Sequence, residues 1–169
     1  GADDLVGTTK IITVTNVKRT GSAQQPMAIE YDGMKGKPFK PCLTMRKILI
    51  ALWTGNGNNW IGKSIKLYRD DSVVFGVEKT GGVRISHLSD IKKQERIMLQ
   101  VAKGKRKEFV IDVLPTYPES DFAEKNPGWI AAIKAEKITL EEVIQKASVT
   151  GVLTKEQIEI LKGAVNNGN

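Results

Sequence analysis

The chain has 169 residues, room for one ordinary domain or a small domain with an appendage, and its 40% hydrophobic and 27% charged residues exclude wholesale disorder. One cysteine, Cys42, and one histidine, His87, exclude an intrachain disulfide and the usual Cys/His metal cage. The net charge of +7 is unevenly spread: residues 1–118 carry 20 basic and 11 acidic side chains, whereas residues 119–169 carry 6 and 8. A basic body of net +9 followed by a tail of net −2 suits a protein whose body meets a polyanion.

In chain order, Gly1-Ala2-Asp3-Asp4 is acidic and lacks the basic and apolar regions of a signal peptide, and no apolar run reaches the roughly 18 residues of a membrane span. A soluble, cytoplasmic protein without membrane contact is expected. Lys10–Val17 is β-rich, and Met27–Tyr31 follows the turn signals Thr20-Gly21-Ser22 and Pro26. Phe39–Leu43 reads as a short extended piece. Thr44 then serves as N-cap of a helix whose Met45, Ile48, Leu49 and Leu52 share one face at i, i+3, i+4 and i+7. Gly55-Asn56-Gly57-Asn58-Asn59 ends it. Further strands are predicted over Ser64–Tyr68, Val73–Val77, Val83–Ser86, Arg96–Ala102 and Lys107–Leu114, the last two as a hairpin of period two around Lys103-Gly104-Lys105.

This order predicts a mainly β unit with α, an OB-like small β-barrel with one internal helix over residues 1–114; an SH3-like barrel or a small sandwich is the alternative. Residues 115–118, Pro-Thr-Tyr-Pro, read as a linker to a small helical module over 119–169. There Asn126-Pro127 resembles a cap followed by a first-turn proline, with Trp129, Ile130 and Ile133 as an apolar stripe. Thr139–Glu142 and Thr154–Gln157 are capping boxes opening two more helices.

Gly57–Ser64 is a literal match to the phosphate-binding pattern G-x-x-x-x-G-K-[ST]. A phosphate loop must leave a strand and open a helix, whereas here a helix precedes the match and a strand-like alternation follows it. The match is read as accidental, and no cofactor or metal is expected. Around it lies a basic-aromatic set: Trp53, Trp60, Lys63, Lys66, Tyr68, Arg69 and Phe75, with Arg84 on a following strand. On a strand through 64–68, Ile65 and Leu67 face inward and Ser64, Lys66 and Tyr68 outward. Rings that stack on bases beside cations that follow phosphates are what a single-strand binder needs. For Trp53, Trp60 and Phe75 a core position is an equal alternative. Lys103, Lys105, Arg106 and Lys107 crowd a hairpin turn, and Arg46 and Lys47 occupy a helix first turn, where the macrodipole disfavours cations unless an anion is near. His87 reads as structural or merely exposed, and Asp70-Asp71 as a turn.

Pro41–Lys47, Trp60-Ile61-Gly62-Lys63-Ser64, Leu67-Tyr68 and Gly81–Ser86 resemble small proteins of tailed bacteriophages and prophages. Asp121-Phe122 through Asn126, Trp129, Ile133, Lys137 and Leu153–Gln157 resemble a C-terminal module of phage recombination and replication proteins. The resemblance implies a setting in phage DNA replication or recombination, in the host cytoplasm, with sequence-nonspecific single-stranded DNA binding as the role and a recombination or replication protein as partner of the helices. No catalytic set of paired carboxylates or nucleophile and base is evident, so a binder rather than an enzyme is expected. The alternative is a phage adaptor or inhibitor acting through protein contacts on an acidic host or phage target.

Overall fold

The structure, a computed structural model, describes residues 9–73 and 82–166. The chain divides into two compact units, Gly1–Leu114 and Pro115–Asn169. The first runs β1 (Thr9–Arg19), β2 (Met27–Tyr31), α1 (Leu43–Leu52), a 3-10 turn (Gly57–Trp60), β3 (Ser64–Asp70), β4 (Gly82–Leu88), β5 (Glu95–Ala102) and β6 (Lys105–Val113). The unit is mainly β with α, and its six strands form one mixed sheet in the order β2-β1-β3-β4-β6-β5. Among the described residues the sheet does not close on itself: β2 and β5 are its two edges, so it is an open sheet and not a closed barrel.

β1 serves two neighbours. Thr9–Thr13 pairs antiparallel with β3, and from Val14 on, with a bulge between Val14 and Asn16, the strand pairs antiparallel with β2. A bulge adds one residue and sharpens the twist, which lets one strand turn from one partner to the other. β4 pairs antiparallel with β3, and β6 runs parallel to β4 through His87↔Asp112 and Leu88↔Val113. The β5–β6 hairpin closes through a two-residue turn at Lys103-Gly104, with Gly104 at φ 71°, the left-handed region such turns require.

Apolar alternation on β1, β3, β4 and β6 puts Ile12, Ile65, Leu88 and Ile111 into a core closed by α1. Met45, Ile48 and Leu49 are fully buried, as their spacing predicts, each contributing roughly 1.5–3 kcal/mol by leaving water. Several expectations change. The helix begins two residues earlier, with Cys42 and not Thr44 at the N-cap position, and Thr44 lies inside it. Phe39–Leu43 is no strand: Phe39 alone exchanges two backbone bonds with Ile29, because Pro38 and Pro41 on either side supply no amide for a ladder. Ser64 does not face solvent; it is buried, its hydroxyl 2.8 Å from that of Thr13 and its amide donating to Ser89 Oγ. Val101 does not continue the inward row of Ile97 and Leu99 that a period of two predicts, because a bulge between Gln100 and Ala102 turns it out. The strand expected over Val73–Val77 lies, beyond Val73, outside the described residues, as do Phe75 and Gly81.

The second unit contains α2 (Glu119–Lys134), α3 (Leu140–Ala147) and α4 (Lys155–Asn166). Its core joins Tyr117, Phe122, Val143, Leu153, Ile158 and Leu161, with Trp129 edge-on to Tyr117 at 5.6 Å between ring centroids. α2 starts at Glu119, not at Pro127, which sits inside it. Glu119 and Asp121 in the first turn favour the earlier start through the helix dipole, while the proline removes one interior amide. Both expected capping boxes form: Thr139 Oγ1 accepts from the Glu142 amide, and Thr154 and Gln157 bond reciprocally through side chain and backbone. Residues 115–118 are not a free linker. Tyr117 N donates to Val152 O and Val152 N to Pro115 O, both at 2.7 Å. The approach is so close that a Cβ on Gly151 would stand 2.7 Å from the Thr116 carbonyl oxygen.

Candidate functional site

The candidate residues lie in the core, on the sheet surface, on the hairpin and in the first turns of α1. Trp53 is 3% exposed and Trp60 fully buried, with ring centroids 6.1 Å apart and tilted by 55°. Their indole N–H groups donate to Ser89 O (2.8 Å) and Thr54 O (3.0 Å), which satisfies the only polar atom each ring brings inside. Buried to this extent, neither ring offers a surface to a base. Both are corrected from stacking residues to core, because the helix end and the 3-10 turn aim them under the sheet.

Lys63 follows Trp60 in the tight turn made by Gly62 (φ 88°) and lays its ammonium 5.6 Å from the Trp53 ring centroid. The Gly57–Ser64 match is thus a 3-10 turn leading into strand β3, not a loop opening a helix. Its serine is buried and its lysine lies over an indole, so neither side chain stands where a phosphate loop would need it.

On the sheet, β3 and β4 bring two polar groups together. Lys66 lies in register with His87, and His87 with Asp112 on β6. Burial and the nearby Lys66 charge hold the His87 pKa below the ordinary imidazole value, with Asp112 pulling the other way, and His87 Nδ1 is 2.8 Å from Ser86 Oγ. One turn of the pleat along, Tyr68 lies opposite Arg84 and the two flank Asp70. Burial and Asp70 raise the Tyr68 pKa while Arg84 lowers it. At Asp70, burial works to raise the pKa, but hydrogen bonds from the Ser72 hydroxyl and amide, with Lys107 and Arg84, bring it below the ordinary carboxylate value. The bonds to Ser72 also make Asp70-Asp71 the turn expected. Arg69 pairs with Asp71 at 2.8 Å.

Arg84 also reaches the sulfur of Cys42 at the start of α1, at 3.4 Å. Arg46, in the first turn of that helix, spends one guanidinium nitrogen on the carbonyls of Pro41 (2.8 Å) and Gln24 (3.3 Å). That explains a cation at a helix start without an anion: two peptide carbonyls supply the negative charge. Lys47 is exposed.

The β5–β6 hairpin carries the densest positive charge. Lys103, Lys105 and Arg106 are exposed at its turn. Lys107 stands 3.9 Å from Asp70 and 5.4 Å from the Phe109 ring centroid, which ties the hairpin to the β3 end where Tyr68 and Arg84 lie. The structure therefore joins Tyr68, Arg84 and Lys107 around Asp70. Sequence reasoning missed Asp70 as the shared counter-charge and His87 as the neighbour of Lys66. It also missed Lys10, which donates to the Tyr31 hydroxyl at 3.1 Å and caps that ring at 4.7 Å. Each depends on strand register, which single residues do not announce.

Among the described residues no helix is long and apolar enough to cross a membrane, and no three His, Cys, Asp or Glu side chains group as a metal cage would require. Comparison with protein-family models, with curated proteins and with solved structures gives no match.

Proposed function

We propose that the first unit, read as an OB-like barrel left open between β2 and β5, binds single-stranded DNA without sequence preference, in the setting of phage replication or recombination. The observation that carries this reading is the exposed cationic turn Lys103, Lys105 and Arg106, joined through Lys107 to the half-buried Tyr68 and Arg84. Phosphates follow the hairpin and Lys66, and Tyr68 is the ring on β3 left to receive a base once Trp53 and Trp60 are in the core. Affinity therefore comes more from charge than from stacking. The helical unit is assigned to contact with a recombination or replication protein, a role that its net charge of −2 keeps apart from phosphate binding.

The test is a fluorescence titration with a labelled oligo-dT and with a duplex of equal length over a series of salt concentrations. The reading expects tighter binding to the single strand, and a log–log salt slope of about −0.7 for each phosphate contacted. Equal or tighter duplex binding removes the role of Tyr68, and no binding at low salt ends the nucleic-acid reading.

A further inference from the structure

Among the described residues β5 ends the sheet, so one of its edges presents backbone amides and carbonyls to whatever lies beside it. Proteins blunt such edges with prolines, lysines or bulges. In β5 the bulge comes late, after Gln100, and Glu95–Gln100 runs in unbroken register with β6. Neither proline nor lysine occurs in the strand. Large apolar side chains on this hairpin are instead left in solvent: Met98 is 48% exposed, Val101 45% and Val110 37%. On the other face Ile97 and Leu99 are only partly covered, though they pack against the core. An edge strand with apolar side chains on both faces is a template for another strand.

Charge selects the occupant. The hairpin bears Arg96, Lys103, Lys105, Arg106 and Lys107 against Glu95, Glu108 and Asp112, with Glu108 paired to Arg96 at 2.7 Å and Asp112 accepting from Gln94. A second copy docking edge to edge would bring like charges together. We propose that the outer edge of β5 binds an extended acidic peptide of a partner protein as a seventh strand, its apolar residues covering Ile97 and Leu99 and its carboxylates lying beside Arg96 and Gln100. Main-chain bonds to the edge supply affinity and the alternating side chains supply selectivity. The proposal shares the hairpin cations with the DNA reading and adds the outer strand edge of β5, which the DNA reading does not use.

The experiment uses the full chain and a fluorescein-labelled peptide of alternating aspartate and valine, matched to the eight residues of β5. Two further peptides carry backbone N-methyl groups, one at every valine and one at every aspartate, with charge unchanged. In a strand, alternate amides point to opposite edges, so one methylated peptide is expected to bind at least about tenfold more weakly while the other keeps its affinity. Met98→Glu is expected to weaken the unmodified peptide while leaving the melting temperature unchanged. Equal binding of all three peptides would show a contact of charge alone and overturn the proposal. So would absence of binding at low salt, or a sedimentation velocity profile in which the chain alone is a dimer. Oligo-dT affinity is read separately in the same preparation, so either reading can fail without the other.

Discussion

Trp60 and His87 show how a single position is assigned by its surroundings. Trp60 is fully buried with its N–H satisfied, so Trp60→Ala is expected to cost about 3–5 kcal/mol in urea unfolding through lost contacts and a cavity. The part of the variant that remains folded should bind oligo-dT as before; weakened binding in a stable Trp60 variant would restore the ring to the interface. For His87, burial and Lys66 favour the neutral ring in the folded state. The unfolded chain takes up a proton first as pH falls through the ordinary value of about 6.5, so this stability is present above that value and lost below it. Melting temperature should therefore fall with acid more steeply in the native chain than in His87→Gln. A DNA phosphate near Lys66 reverses the preference, because the imidazolium then gains an anion. Affinity for oligo-dT is thus expected to rise from about pH 7.5 to about pH 5.5, and to rise less in His87→Gln.

Among the elements, the β5–β6 hairpin carries the clearest test. Its turn depends on Gly104 in the left-handed region, and Lys103, Lys105 and Arg106 are exposed there. Replacing Lys103, Lys105 and Arg106 together by alanine leaves Lys107 on Asp70 and the ladder intact. The melting temperature should hardly move, while the salt slope for oligo-dT becomes shallower by up to about 2 units, roughly 0.7 for each lost phosphate contact. An unchanged slope would move the DNA path off the hairpin. Helix α1 was legible from its four apolar residues, and α3 and α4 from their boxes. The first half of α2 was not, because Phe122 is its one buried side chain and Pro127 imitates a start.

For the whole molecule, the two units have separate cores, one gathered around α1 and the sheet, the other around Tyr117, Phe122 and Leu161. Truncation after Leu114 is therefore expected to leave a chain that melts cooperatively and retains most affinity for oligo-dT, with the net +9 of the basic body kept. Melting curves and the titration together decide the outcome. A folded truncation without DNA binding would assign the helices to the site, and an unfolded one would make the two cores interdependent.

Residues 1–169 by themselves determined what local order and composition can encode. The period-two hairpin, the period-3.6 face of α1, the capping boxes and the change from net +9 to net −2 all follow from spacing and charge. Tertiary structure alone decided the rest. Which way a ring points depends on what lies across from it, so Trp53 and Trp60 were open between core and surface until the sheet covered them. Bulges at Val14–Asn16 and Gln100–Ala102 shift register by one residue and exchange the faces of a strand, which no alternation within that strand can foretell. The parallel pairing of β4 with β6, and the edge it leaves at β5, join segments distant along the chain, and their choice rests on the packing of the complete core.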